Sequence, residues 1–374
     1  MKKLFGLFIL LIANIFPQNN IDLLVPPQGF GIQSLNSSGN SSIVNGTFNI
    51  LAMNPAAIAT LENYSFGISY QISSDIETGW INDSKVFRQI DLVPQSSGAV
   101  VSWTNFSFGL GFTQSYNSRV DFIWNPHSFE DPEITEFKGR VNSYSASAAY
   151  SINDIHKGSD LSFGIKYTFN SVNFVSQGSW DEVSLSDYAS SYAFGILYSN
   201  KSTSGRISKI GLSFTTNTKF EEEYSVSSMT VIIIDNSNRI QDIKQNTVSG
   251  NIPAKLNLDL SFDISDNFNL NGSLAGIFWS KNNNQLKDQT EISAGVTYYL
   301  NEIISPSLGF YLTDRKYEPD FYNFNNKFNT LCFIAGTRVS FNKISLDIAL
   351  ADSHLFSDEF SRQTIGKLGL GVML

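Results

Sequence analysis

The chain is poor in the residues on which enzymes and disulfide-stabilised proteins depend. It has one cysteine, Cys332, so no internal disulfide can form, and we interpret that residue as a small buried or lipid-facing apolar one. Its three histidines, His127, His156 and His354, are too scattered to propose a metal site or a catalytic triad. We therefore expect no catalytic residue, no metal and no cofactor, and we do not interpret the chain as an enzyme.

Charge and long apolar runs are scarce as well. Charged residues make up 16% of the chain and its net charge is −9, which does not suit a nucleic-acid partner, because phosphates attract Lys and Arg. After the first residues no apolar run reaches 18, so we expect no membrane-spanning helix. Aromatic residues, in contrast, are abundant at 13%.

Residues 1–18 have the pattern of a signal peptide. A basic head, Met1-Lys2-Lys3, precedes an apolar run from Leu4 to Phe16, which is shorter than the ~20 residues of a membrane-spanning helix. The alternative is a buried N-terminal helix, but Pro17 and the Gln/Asn residues after it stop the apolar pattern at once. Both Ala13-Asn14 and the stretch 16–19 fit as the cleavage site, and cleavage leaves the chain still more acidic.

Most of the chain alternates between apolar and small polar residues. The first clear case is 63–71, where one face carries Tyr64, Phe66, Ile68 and Tyr70 and the other carries Ser65, Gly67 and Ser69. About fourteen such segments reach to the C-terminus, most of them about 8 to 12 residues long. Soluble strands average ~5–6 residues, whereas a tilted strand that crosses a bilayer needs ~9–11.

The connections between these segments alternate between long and short. The long gaps are 72–96, 115–139, 172–187, 217–252, 280–289, 314–327 and 352–363, and the short ones are 105, 153–160, 200–206, 265–266, 301–303 and 342. Long loops at one end and tight turns at the other are typical of outer-membrane barrels. In lipid an unpaired backbone group costs several kcal/mol, so a sheet must close on itself.

The prediction is an all-β fold: a transmembrane antiparallel β-barrel of about 14 strands with an N-terminal hatch segment in the lumen. Apolar faces meet lipid, including the face that carries Tyr64, Phe66, Ile68 and Tyr70. Polar faces line the lumen, and Lys166, Asp259, Asp263 and Asp347 fall on them. A soluble β-sandwich or propeller is the alternative, but it explains neither the strand length nor the loop asymmetry.

We divide the chain into a signal peptide (1–18), a hatch or plug (19–61) and the barrel (62–374). Residues 21–61 have no clean period, yet they carry more apolar side chains than a disordered tail, so the segment packs against something. Within it, Phe48, Ile50 and Leu51 either line an inner ligand pocket or pack the hatch against the wall.

Apolar side chains in the long connections are candidate ligand contacts. Phe122, Trp124 and Phe129 lie in the connection 115–139, and an exposed apolar cluster often marks a binding surface. Val231 to Ile234 lie in the connection 217–252, where they either contribute to such a surface or extend the strands above the membrane.

Three short motifs follow one another along the chain in a recognisable order. Asn54-Pro55-Ala56-Ala57-Ile58-Ala59 precedes the first alternating strand, Ile252-Pro253-Ala254-Lys255-Leu256 opens a later one, and Leu346-Asp347-Ile348-Ala349-Leu350 precedes the final loop and strand. In this order, after a signal peptide, the chain resembles the FadL family of outer-membrane transporters. It is also similar to the related PorV/PorQ proteins of type IX secretion, which share the Asn-Pro-Ala segment.

The resemblance to FadL implies a fourteen-stranded barrel in the bacterial outer membrane, in contact with its lipid, with a hatch inside. It implies passive uptake of long-chain fatty acids or hydrocarbons, which are caught between extracellular loops and released sideways through the wall. Asn54, Pro55 and Ala56 are carried over as hatch and gating residues. The resemblance to PorV/PorQ implies the alternative, a barrel that docks secreted proteins with secretion-system partners.

Overall fold

The computed structural model shows a chain that is almost entirely β-strand. The residues that it describes are 19–20, 41, 43, 54–61, 63–74, 78–81, 84–87, 92–124, 133–177, 182–225, 245–281, 286–314, 329–355 and 363–374. A short 3-10 helix, Pro55–Thr60, precedes the first barrel strand. Within these ranges no helix is long and apolar enough to cross a membrane.

The strands are numbered here in chain order. They are β1 (Asn19–Asn20), β2 (Tyr64–Ser73), β3 (Thr78–Ile81), β4 (Ser84–Phe87), β5 (Val93–Trp103), β6 (Phe106–Trp124), β7 (Glu133–His156), β8 (Ser159–Gln177), β9 (Glu182–Lys201), β10 (Ile207–Thr215), β11 (Thr218–Ser225), β12 (Gln245–Ile252), β13 (Lys255–Ser265), β14 (Phe268–Ile277), β15 (Gln289–Tyr298), β16 (Ile304–Thr313), β17 (Thr330–Phe341), β18 (Ile344–Asp352) and β19 (Thr364–Met373).

Fourteen of these strands form a closed antiparallel ring, as predicted. The ring runs through β2, β5 to β10 and β13 to β19, and the last strand pairs with the first from Ile365 opposite Ser73 to Met373 opposite Ser65. The other strands are not members of this ring. β3 and β4 form a hairpin that pairs with the far end of β6, while β11 and β12 form a hairpin that β1 joins in parallel.

The two faces of the barrel strands differ as the alternation predicts. On β2, Tyr64 is 58% exposed and Phe66 49% exposed on the outer face, whereas Ser65 and Ser69 are buried on the inner face. Outer aromatic pairs mark both ends of the apolar belt. Phe106–Tyr150 lies near the short turns, and Phe112–Tyr144 near the long connections. Aromatic girdles of this kind flank the lipid-facing band of membrane barrels.

The predicted lumen charges do point inward. Lys166, Asp259 and Asp347 are buried on the inner face, and Asp263 is half-buried there. Arg338 on β17 places its Nε 2.7 Å from an Asp347 carboxylate oxygen. A charge in this position avoids the hydrocarbon that the outer face is built to meet.

Four of the predicted long loops are wrong, because strand occurs where we expected irregular chain. The connection 72–96 contains β3, β4 and the first residues of β5. β6, β7, β8 and β9 have 19, 24, 19 and 20 residues, so they occupy most of 115–139 and 172–187. The connection 217–252 contains β11 and β12. Beyond a bilayer the outer face need not be apolar, so the alternation fades although the ladder continues. The excess of about ten residues per strand adds ~30 Å of wall.

Adjacent residues on β7 offer a matched test of the two faces. Ala146 lies on the outer face and Ser145 on the inner face at the same height. We expect Ala146→Lys to lower the free energy of unfolding in lipid vesicles by about 2–4 kcal/mol, because the ammonium would enter hydrocarbon. Ser145→Lys should cost well under half as much, since the charge enters the lumen. Equal losses in urea titrations of both variants would contradict the assignment of faces.

Candidate functional site

The chain enters the barrel through a corner formed by Asn54, Pro55 and Ala56. Asn54 caps the 3-10 helix, since the Ala56 N–H donates to Asn54 Oδ1 at 2.9 Å. Pro55 occupies the first helical position, where its missing N–H costs nothing. All three residues are buried. The corner is thus a rigid local structure that its own side chains organise.

A notch of three glycines receives this corner on the inner face of the wall. The glycine notch consists of Gly164 on β8, Gly195 on β9 and Gly211 on β10, with Gly164 and Gly195 directly paired. A Cβ at any of them would lie within 3.0 Å of the corner or of Ile43, closer than real Cβ atoms approach other groups. Only glycine therefore lets the corner sit this deeply against the wall.

The Asn54 carboxamide also bonds to the wall itself. Its Nδ2 donates to the backbone carbonyls of Ile196 on β9 at 3.2 Å and of Leu212 on β10 at 3.4 Å. Each such bond contributes about 0.5–1.5 kcal/mol, and more would be lost if the buried amide were left unpaired. One side chain thus caps the helix with its oxygen and anchors the corner with its nitrogen.

From this anchor the helix runs along the inner face of the wall, past β9 and β8 to β7 and β6. Ile58 is 2% exposed and packs against Val100 on β5 and Ala149 on β7. Ser102 Oγ donates to the Leu61 carbonyl at 3.2 Å, just before β2 begins. The segment 54–61 therefore bridges β10 and β5 inside the barrel.

An apolar cluster lines the inner side of the long strands, beyond the corner. We call it the vestibule cluster, and its members are Tyr116, Val141, Val172, Phe174 and Phe220. The centroid of the Phe174 ring lies 6.1 Å from the ring centroids of both Tyr116 and Phe220. Gly139 and Gly250 make room for these rings, since a Cβ on either would overlap them. The β11–β12 hairpin thus completes an apolar inner surface with β6, β7 and β8.

A second apolar cluster lies on the inner face of β16 to β19. We call it the upper patch, and its members are Tyr311, Cys332, Ile334, Ala351 and Ile365, none more than 4% exposed. Cys332 is thus a buried apolar residue of the lumen. Register explains the grouping, because Tyr311 pairs with Cys332, Ile334 with Ala351, and Ala351 with Ile365.

A polar network borders the upper patch. Glu291 on β15 is 2% exposed and receives the Lys255 ammonium at 2.6 Å and the Tyr311 hydroxyl at 2.9 Å. Trp279 Nε1 donates to Gln289 at 3.2 Å in the same region. Closer to the short turns the inner faces of β13 and β14 carry Asn257, Asp259, Ser261, Asn269, Asn271 and Ser273, all buried. The lumen therefore changes from apolar to polar along its length.

The wall has a seam between β5 and β6. Their ladder ends at Ser96 opposite Thr113, and in the described chain residues 114–120 of β6 have no partner on that side. Both strands are irregular there, since the β2–β5 register shifts at Gln95 and the β6–β7 register shifts at Ser115. Pro94 brings no N–H to this edge. The seam starts level with the outer Phe112–Tyr144 pair.

The predicted ligand contacts fall mostly outside the described structure. Phe48, Ile50, Leu51 and Phe129 lie outside the described residues, as do Val231 to Ile234. Phe122 and Trp124 belong to β6 rather than to a loop, and their side chains lie outside the described part. Sequence reasoning missed Phe174, Phe220 and the upper patch, although Tyr311, Cys332 and Ile365 could have been found as apolar residues on otherwise polar faces.

Comparison with known proteins rests on structure. No family model matches the chain, and no curated protein does. Among solved structures, a FadL homologue of Pseudomonas aeruginosa superposes with a TM-score of 0.62 at 13% identity, covering 93% of this chain and 99% of its own. The toluene transporter TbuX of Ralstonia pickettii gives 0.61 at 13% identity, covering 92% and 98%.

The chain has the fold of the FadL/TodX-type channels. The Pseudomonas putida toluene transporter TodX fits as well, with a TM-score of 0.58 at 12% identity over 93% of this chain and 97% of its own. The resemblance read from the three motifs is thereby confirmed at the level of fold. These relatives are transport channels rather than enzymes, and the docking alternative stays a prediction.

Filling the glycine notch should expel the corner. In a Cys332→Ala background, Ala56→Cys should resist a maleimide reagent, because Ala56 is 0% exposed. Adding Gly195→Val should make that thiol react, since the new side chain would occupy the place of Asn54 and Pro55. Gly276→Val on the outer face, where a Cβ meets only ordinary contacts, is the matched control. Unchanged protection in the Gly195 variant would show that the corner does not depend on the notch.

Proposed function

We propose that this barrel is a bacterial outer-membrane channel for the passive uptake of hydrophobic small molecules, with its N-terminal plug as the gate. The observation that carries the proposal is the pair of apolar clusters on the lumen side of the wall. A pore for polar solutes needs a polar lining. A greasy ligand needs an apolar surface with a few polar anchors, and burial contributes about 25 cal/mol for each Å² of apolar area.

The vestibule cluster is the proposed capture surface. It lies on the part of β6 to β8 that extends past the outer aromatic pairs, so a ligand from outside reaches it before the plug. The gaps made by Gly139 and Gly250 keep the rings of Phe174 and Phe220 close to the wall. A flat apolar surface of this kind can hold ligands of several shapes.

The polar faces of β13 and β14 support a sideways exit. A hydrocarbon that continued toward the short turns would meet Asn257, Asp259 and their neighbours and would gain no apolar contact there. The seam between β5 and β6 is the proposed exit, because no backbone ladder has to break there among the described residues. A ligand would leave it at the border of the outer apolar belt, where the seam begins.

The corner is the proposed fixed point of the plug. Asn54 is tied to two wall strands and to its own helix, so displacing it would break three hydrogen bonds together. Opening therefore involves the chain that precedes the corner, unless ligand binding also repacks the glycine notch.

Uptake by lipid vesicles that contain the reconstituted barrel tests the proposed function directly. We expect vesicles that contain the purified full-length barrel to accumulate toluene or a long-chain fatty acid several times faster than empty vesicles, because the protein bypasses the polar surface layer. A polar sugar of similar mass should enter both at the same rate. Equal rates for the hydrophobic probes, or a faster rate for the sugar, would contradict the proposal.

Two phenylalanines, one in the vestibule cluster and one on the outer face, provide a matched test of the capture surface. Phe220 belongs to the vestibule cluster, whereas Phe214 on β10 lies on the outer face and is 39% exposed. Phe220→Ala should weaken binding of a fluorescent fatty acid by about tenfold or more, since it removes most of a ring's apolar contact. Phe214→Ala should leave binding nearly unchanged. If the two variants behave alike, capture does not occur at this cluster.

A further inference from the structure

One buried side chain at the top of the lumen has polar atoms that the fold does not use. Gln363 directly precedes β19 on the inner face, is 0% exposed, and lies two residues before Ile365 of the upper patch. Among the described residues, neither its Nε2 nor its Oε1 has a hydrogen-bond partner. Leaving both ends of a buried amide unpaired is costly, and native structures rarely do so without a reason.

Three neighbouring polar side chains are hydrogen-bonded within the protein. Thr313 Oγ1 donates to the Asp314 carbonyl at 3.3 Å, and Ser353 Oγ donates to the Gln363 carbonyl at 3.1 Å. The Tyr311 hydroxyl bonds to Glu291. Gln363 differs from these neighbours because, among the described residues, both polar atoms of its carboxamide lack a partner at the edge of an apolar cluster.

Hydrogen bonds on both sides fix the backbone at Gln363. The Gln363 N–H donates to Ser353 Oγ at 2.6 Å, and the Ser353 N–H donates back to the Gln363 carbonyl at 3.0 Å. The next residue, Thr364, exchanges bonds with Ser74 on the other side. The position of the Gln363 Cβ at the edge of the upper patch is therefore fixed by the sheet.

We infer that Gln363 is a specificity-determining residue that selects hydrophobic ligands with a neutral hydroxyl-bearing end group, whose chain packs on the upper patch. The inference rests on the proposed function. A carboxamide offers N–H donors and a carbonyl acceptor, and a neutral O–H group can accept from the first and donate to the second. A pure hydrocarbon leaves both unpaired, and an ionised carboxylate cannot donate to Oε1. The site thus distinguishes ligands of equal chain length by their end group.

Three probes of equal length test this inference on the purified full-length barrel: 1-decanol, decane and ionised decanoate, each followed by equilibrium dialysis. Wild type should bind 1-decanol more tightly than the other two. Gln363→Met keeps the length of the side chain and removes its hydrogen bonding, so it should weaken 1-decanol binding about tenfold and change decane binding by less than about twofold. Ser147→Ala, which removes another buried hydroxyl without a partner on β7, is the control and should leave the preference unchanged.

Thermal unfolding of the empty barrel separates selection from a structural role. Gln363→Met should unfold at the same or a higher temperature, because it removes buried polar atoms that bond to nothing. A lower unfolding temperature, an equal loss of affinity for 1-decanol and decane, or a wild-type preference for decane or decanoate would overturn the inference. If wild type bound none of the three probes, the proposed function would fail as well, whereas tight decane binding without selectivity would leave that function standing.

Discussion

Backbone pairing around a closed ring is the constraint on which the rest of this structure depends. A sheet edge in hydrocarbon leaves N–H and C=O groups that nothing else can satisfy, so the last strand must meet the first. The ladder between β19 and β2 does this from Ile365 to Met373. The alternation along each strand fixes which face each residue occupies. A slip of one residue would turn Tyr64 and Phe66 into the lumen and Ser65 toward lipid.

A closed ring creates an interior that the chain must fill, and the corner at Asn54 solves that problem with local and distant contacts together. The cap formed by Asn54 Oδ1 depends on a residue two positions away, whereas the bonds from Nδ2 reach two strands much later in the chain. The glycine notch makes the close approach compatible with a wall of ordinary strands. The corner is thus stable because its shape fits the glycine notch and the Asn54 side chain is hydrogen-bonded at both its oxygen and its nitrogen.

The lumen divides polar and apolar surface in a way that explains how the proposed channel works. The vestibule cluster and the upper patch offer apolar contact toward the long connections, and the Asn, Asp and Ser rows of β13 and β14 offer none closer to the short turns. Between them, the Lys255–Glu291–Tyr311 network pairs its charges within the wall. Gln363 differs from this network because its carboxamide is buried yet has no hydrogen-bond partner among the described residues.

The sequence by itself determined the all-β class, the number of barrel strands, the two faces and the alternation of short and long connections. These follow from a period of two and from turn spacing, which are local properties of the chain. It failed where the outer face leaves the apolar belt, so the ends of β6 to β9 toward the long connections were taken for loops. Only the tertiary structure decided that Gly164, Gly195 and Gly211 form one notch, that Phe174 meets Phe220, and that Gln363 shares the inner face with the upper patch. Each of these groupings depends on the register between strands, and register is set by ring closure rather than by any single segment.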